Sequence, residues 1–139
     1  MSHYAVKQVI IVRRDLRNTK GERIRGGKLG AQVAHASMMW LGNRFRDSPR
    51  VNGGRIVSLT AAEEDWLVNK DFAKIVLGVD SEAELQELVE KARAFGFATE
   101  VCIDNGTTEF GGVKTATCAA IGPAVSTEID KITGHLRPL

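Results

Sequence analysis

Short β-branched runs alternate with longer amphipathic stretches along this chain. Residues 6–14 have an apolar, β-branched middle, Val9-Ile10-Ile11-Val12, and predict a buried strand. Residues 15–27 are polar and basic and close on Gly26-Gly27, as a loop would. Over residues 28–41, Leu29, Val33, Ala36 and Trp40 recur at i, i+4, i+7 and i+11, the apolar stripe of a helix. Gly42, Pro49, Gly53 and Gly54 then puncture the pattern and Arg44, Arg46, Arg50 and Arg55 charge it, so 42–58 reads as a mobile loop. Thr60 with Glu63 makes a capping box and opens a short helix that carries Trp66 and Leu67.

The second half repeats the alternation. Residues 72–79 predict a second strand. Ser81 with Glu84 opens a helix to Phe95, with Leu85, Leu88, Val89 and Ala92 on its inner face and Glu87–Lys91 outside; Gly96 ends it. Residues 97–103 and 114–121 predict two further strands around an Asp104-Asn105-Gly106 turn. Pro123 leads a last helix that stops at Gly134. The order β-α-α-β-α-β-β-α predicts a layered α/β fold, and the closeness of the last two strands predicts a mixed sheet.

Composition narrows the class. The 139 residues are 43% hydrophobic and 26% charged, ordinary globular values, so 1–139 is read as one domain with basic flexible loops at about 15–27 and 42–58. No apolar run is long enough to span a bilayer, Met1–Tyr4 opens no signal peptide, and Cys102 and Cys118 form no CxxC pair. A reduced, cytoplasmic protein is expected. The net charge of +2 divides unevenly, +9 over residues 1–56 and −7 over residues 57–139. Such a split either cancels inside the fold or leaves a basic face for phosphates.

Three constellations could carry chemistry. Gly26-Gly27-Lys28 stands at a helix start, where free N–H groups favour anions. The phosphate-loop pattern fails there, because Glu22 replaces its first glycine and Leu29 its hydroxyl residue, which argues against nucleotide hydrolysis. Lys28, Gln32 and His35 form a polar stripe beside the apolar one; His35 alone is more readily a structural histidine. The connection from Asp104 to Thr117 is rich in glycine and hydroxyls. Its carboxylate could orient a water, or simply cap the turn, and the residues alone favour the cap. His3, His35 and His135 lack metal-ligand spacing, and Cys118 reads as an inert interior thiol.

Two stretches together are more specific. Arg13-Arg14-Asp15-Leu16 is followed by Gly27-Lys28-Leu29-Gly30-Ala31-Gln32-Val33-Ala34-His35-Ala36, and the C-terminal part holds Ile121-Gly122-Pro123 and Asp130-Lys131-Ile132-Thr133-Gly134-His135-Leu136. With Ile103 to Thr108 between them, the chain resembles the type-2 peptidyl-tRNA hydrolase family from about Val6 to Leu136. The resemblance implies a three-layer α/β sandwich, a four-stranded mixed sheet with helices on both faces, in a homodimer. It implies hydrolysis of the ester between a peptide and the 3′-terminal ribose of tRNA, with no metal or organic cofactor. Lys28, Asp104 and Thr117 match the family's catalytic positions. Gln32, His35, Thr108 and Thr115 match around them, and Arg14 and Arg25 complete the expected substrate-binding set. Thr107 and Gly78 depart from the pattern, standing where the family has an arginine and a lysine. Arg17, Lys20, Arg23 and Arg25 of a longer loop would supply charge from another direction. The alternatives are a non-catalytic relative that binds RNA or a protein partner through the basic face, and a hydrolase of a smaller substrate.

Overall fold

A computed structural model of the chain describes residues 4–139, so His3 and the first residues of the N-terminus lie outside the description. Its elements are β1 (Val6–Arg13), α1 (Gly26–Arg46), β2 (Arg50–Val51), β3 (Gly54–Arg55), α2 (Ala61–Glu64), β4 (Lys74–Val79), α3 (Glu82–Ala94), β5 (Thr99–Asp104), β6 (Thr115–Val125) and α4 (Ser126–Thr133). The main sheet runs β4-β1-β6-β5. β1 pairs β4 in parallel and β6 antiparallel, and β5 pairs β6 antiparallel. This is the four-stranded mixed sheet that the pattern and the resemblance imply.

β1 is apolar on both sides because both sides are covered. Val9 and Ile11 face Leu85, Leu88 and Ile129 of α3 and α4, while Ile10 and Val12 face Ala36 and the half-buried Leu29 and Val33 of α1. Each large side chain so buried contributes about 1.5–3 kcal/mol. The expected inner face of α3 is the observed one, with Leu85, Leu88, Val89 and Ala92 all buried. Ser81 caps α3 by accepting from Glu84 N, but the Glu84 carboxylate turns to Asp80 N, so only half of the box forms. The chain's tail lies against edge strand β4, through Gly78 N to Arg137 O at 3.0 Å and Leu139 N to Val76 O at 3.2 Å. That contact covers an otherwise open row of backbone donors and acceptors.

Two expectations are corrected. The segment 42–58 is not a loop throughout: α1 continues to Arg46, and β2 and β3 form a hairpin around Asn52-Gly53, with φ of 50° and 81°. Asn-Gly suits that turn because both residues tolerate positive φ. Arg55 then hydrogen-bonds the carbonyls of Phe45 and Ser48 at 3.1 and 3.0 Å, closing the hairpin onto the end of α1. Pro123 does not lead the last helix but sits inside β6. The register with β1 shifts between Lys7 and Val9, opposite this stretch, so no ladder hydrogen bond is asked of the proline. The segment 15–27 is also internally bonded, with Asn18 Oδ1 accepting from Lys20 N and Glu22 N at 2.9 Å each.

The Thr60–Glu63 capping box forms as the sequence predicts. Glu63 is buried and also takes both guanidinium nitrogens of Arg44. Burial pushes its carboxyl up, but hydrogen bonds from Arg44 and from Thr60 N outweigh it and hold the group below its usual 4.5. A carboxyl lowered on folding stabilises above its unfolded pKa and loses that contribution as pH falls through the folded value. Urea midpoints measured against pH are therefore expected to drop below about pH 4.5 in the native chain and to drop less steeply in Glu63→Gln. Equal slopes would mean that other carboxylates carry the acid sensitivity.

Candidate active site

The two glycines before Lys28 open α1 without a side-chain cap, so Lys28 lies in its first turn. Gln32 follows one turn later on the same side. Across from them, Asp104 ends β5 and Cys102 stands two residues earlier on the same strand face. Thr117 lies in the neighbouring β6, where the register slips by one residue between Cys102 and Ile103.

These residues form one bonded cluster. Lys28 Nζ donates to Asp104 Oδ1 at 2.7 Å and to Thr108 Oγ1 at 2.9 Å. Gln32 Nε2 lies 3.5 Å from the same Asp104 oxygen. Gln32 Oε1 accepts from Thr117 Oγ1 and from Cys102 Sγ, both at 2.9 Å. A carboxylate only accepts, so the Gln32 amide must face Asp104 and its carbonyl must face the two hydroxyl and thiol donors. Asp104 Oδ2 takes Gly106 N at 2.9 Å. Gly106 has φ of +84°, and a Cβ there would come within 2.2 Å of Val113 O, so the turn that holds Asp104 requires glycine.

The ion pair is well shielded, with 15% of the Lys28 side chain and 6% of the Asp104 side chain exposed. Thr117 has no exposed surface and its hydroxyl is committed inward, to Gln32 and to Cys102 O at 3.2 Å. It can position Gln32 but does not front a cavity. The Cys118 thiol is pushed above its usual range by the neighbouring Cys102 and by burial, which keeps it protonated. That agrees with an inert interior thiol. Lys28 has three donors, of which two are used, leaving one for a developing negative charge.

The other expected residues lie around this cluster and not in it. His35 is exposed and lines a separate groove with Met38, Asn43 and Arg46. Thr115 pairs with Asp104 in the ladder, but its hydroxyl goes to Val113 O at 2.9 Å. Arg25 Nε bonds the buried Glu109 at 2.6 Å, tying the segment before α1 to the β5–β6 connection. Arg14 hydrogen-bonds the carbonyls of Arg137 and Pro138 at 3.1 and 2.8 Å. Its guanidinium carbon lies 2.2 Å from where a Cβ on Gly78 would stand, so the space above Gly78 is already filled by a cation. Thr107 bonds Asn105 within the turn. Cys102 is the member that sequence reasoning missed; its signal was the two-residue spacing from Asp104 on one strand.

Fold and site together define a three-layer α/β protein with a shielded lysine–aspartate pair at one end of its sheet, ordered by a glutamine and a threonine. The chain belongs to the type-2 peptidyl-tRNA hydrolases: the family model described as Peptidyl-tRNA hydrolase PTH2 matches residues 6–139. It is similar to "Peptidyl-tRNA hydrolase" of Methanocaldococcus jannaschii, 36% identical over 134 residues that cover 96% of this chain and 100% of that protein. It is likewise similar to the Methanopyrus kandleri protein of the same name, at 39% identity over 94% of this chain and 95% of the relative. "Probable peptidyl-tRNA hydrolase 2" of Dictyostelium discoideum is 34% identical, over 94% of this chain and 53% of the relative.

Proposed function

We propose that this chain hydrolyses the ester joining a peptide's C-terminal carboxyl to the ribose of tRNA, and so returns free tRNA. The observation that carries this reading is the Lys28–Asp104 pair, held at 2.7 Å within the family-matched segment. An ester has a fair leaving group, so the barrier lies in water attack and in the oxyanion that forms. Asp104, with its acceptor lone pairs facing the cluster, takes or orients the proton of the attacking water. Lys28 offers its remaining donor to the carbonyl oxygen as charge builds there. Water oxygen bonds to the carbonyl carbon, the bond to the ribose oxygen breaks, and that oxygen leaves with a proton. Gln32 keeps the carboxylate oriented, and Thr117 acts through Gln32 as a positioning residue. Thr108 holds Lys28 from the far side.

The reading extends to the setting. A tRNA-binding basic rim formed by the N-terminal part, a homodimer, and a place in the cytoplasm belong to the same proposal. Among the described residues, no helix is long and apolar enough to cross a membrane.

The test is release of free tRNA from an N-acetylated aminoacyl-tRNA. Turnover by the native protein is expected, with Lys28→Ala slower by about 10²–10³, the usual cost of one oxyanion donor. A folded native protein that binds the tRNA without turnover would be a binding relative. One that neither binds nor cleaves it would point to smaller esters.

A further inference from the structure

A second polar site lies beside α1, away from Asp104. A cavity of about 270 Å³ is walled by Arg13, Arg14, Arg17 and Arg23 and floored by Val12 and Leu29. The four guanidinium groups are not equivalent. Arg13 is matched by Asp15, with nitrogens at 2.9 and 2.8 Å from its two oxygens. Arg14 has Asp80 at 3.8 Å. Arg17 hydrogen-bonds backbone carbonyls, of Leu16 at 2.8 Å and Arg14 at 3.2 Å, and the carboxylate near enough to feel its charge is Asp15, which Arg13 already holds through both oxygens. Arg23 makes no side-chain hydrogen bond or ion pair among the described residues. Two guanidinium groups that hydrogen-bond no carboxylate among the described residues therefore share one concavity.

The cradle is preformed. Arg17 and Arg23 are partners in an antiparallel bridge, closed by Asn18 N to Glu22 O at 2.8 Å. Thr19 N bonds Glu109 O at 3.1 Å, which pins the turn to the β5–β6 connection. One Arg17 nitrogen is anchored on carbonyls, so the rest of its planar fork is aimed rather than free to wander. Such forks match the oxygens of a phosphate two at a time. Guanidinium groups lining a concave wall raise the local potential for anions.

Position selects the anion. Lys28 turns to Asp104 while Leu29, the next residue, floors the arginine cavity. Consecutive helix residues point about 100° apart, so the two sites occupy adjacent sides of one turn. We propose that this cavity is a phosphate subsite, in which Arg17 and Arg23 grip the phosphate group next to the terminal ribose whose ester lies over Lys28. The inference rests on the hydrolase reading for the direction of the strand, but not for the binding of phosphate itself.

The test uses two small esters, N-acetylaminoacyl adenosine with and without a 5′-phosphate. The native protein is expected to prefer the phosphorylated ester about tenfold in kcat/KM, chiefly through KM. In Arg17→Ala/Arg23→Ala that preference falls to about one, and Arg17→Lys/Arg23→Lys recovers part of it by charge without the fork. A preference kept by the alanine variant overturns the subsite, as does its absence from the native protein. Calorimetric titration with adenosine 5′-phosphate separates this from the hydrolase reading. If neither ester is cleaved, release of tRNA from the full aminoacyl-tRNA substrate decides that reading. The subsite then stands if the native protein binds the nucleotide and the alanine variant does not, and falls if the two bind alike. Circular dichroism checks that the variants fold; both arginines lie outside the core.

Discussion

Asp104→Asn is expected to lower kcat on peptidyl-tRNA by about 10²–10⁴, the range that a positioned acid–base group supplies. Binding of the same tRNA should change by no more than about threefold, because the proposed grip on its phosphates lies at the arginines and not at Asp104. The contrast follows from the geometry. Asp104 receives Lys28 at one oxygen and Gly106 N at the other. Asparagine has the same shape but only one acceptor oxygen, so it keeps one of these partners and can no longer take a proton from water. Single-turnover rates and filter binding on one preparation decide the matter, with a melting curve to show that the variant is folded. A parallel fall of rate and affinity would make the carboxylate a structural tie for the turn and for Lys28.

Trp66→Ala is expected to cost about 3–5 kcal/mol of stability, the usual range for a large buried aromatic. Trp66 has no exposed surface. It meets Trp40 edge-on with centroids 6.3 Å apart and Phe72 at 4.4 Å, and its Nε1 donates to Ala73 O at 2.6 Å. The truncation removes the ring contacts and leaves the Ala73 carbonyl with Gln8 N, at 3.0 Å, as its remaining donor. A fall in melting temperature of about 10 °C or more should follow. Turnover per folded molecule should persist, since Trp40 sits roughly 18 Å along α1 from Lys28 at 1.5 Å per residue. A loss below about 1 kcal/mol would mean that the neighbours collapse into the space.

Much of this was legible in the sequence, for physical reasons that differ by element. The strand and helix cores follow from periodicity, because a buried face must be apolar wherever it recurs; α3 is the clear case. Lys28 and Gln32, four apart on one helix, had to share a side, and both reach Asp104. The two readings of Asp104, turn cap and chemical group, prove compatible: one oxygen serves the Gly106 N–H and the other the ammonium. Three things were hidden. α1 runs past Gly42 because a glycine in a long helix costs only about 1 kcal/mol, which the packing of Trp40 and Leu41 offsets. The Asn52-Gly53 turn was obscured by flanking arginines that show no strand alternation. The contacts of Cys102 with Gln32 and of Arg14 with the tail span long stretches of chain, and no local pattern encodes them.

The overlap of Arg14 with the space above Gly78 carries a lesson about how such a sequence can change. Position 78 has room for a side chain only if the residue at 14 gives it up. An alanine at 78 would not unfold the protein, because the free end of an arginine can swing aside. It would instead release the grip of Arg14 on the carbonyls of Arg137 and Pro138 and loosen the tail on β4. The effect of any substitution at 78 thus depends on what stands at 14. The two sites form an epistatic pair, and across relatives a cation at 78 and a long cation lying over it from 14 should replace one another rather than coexist.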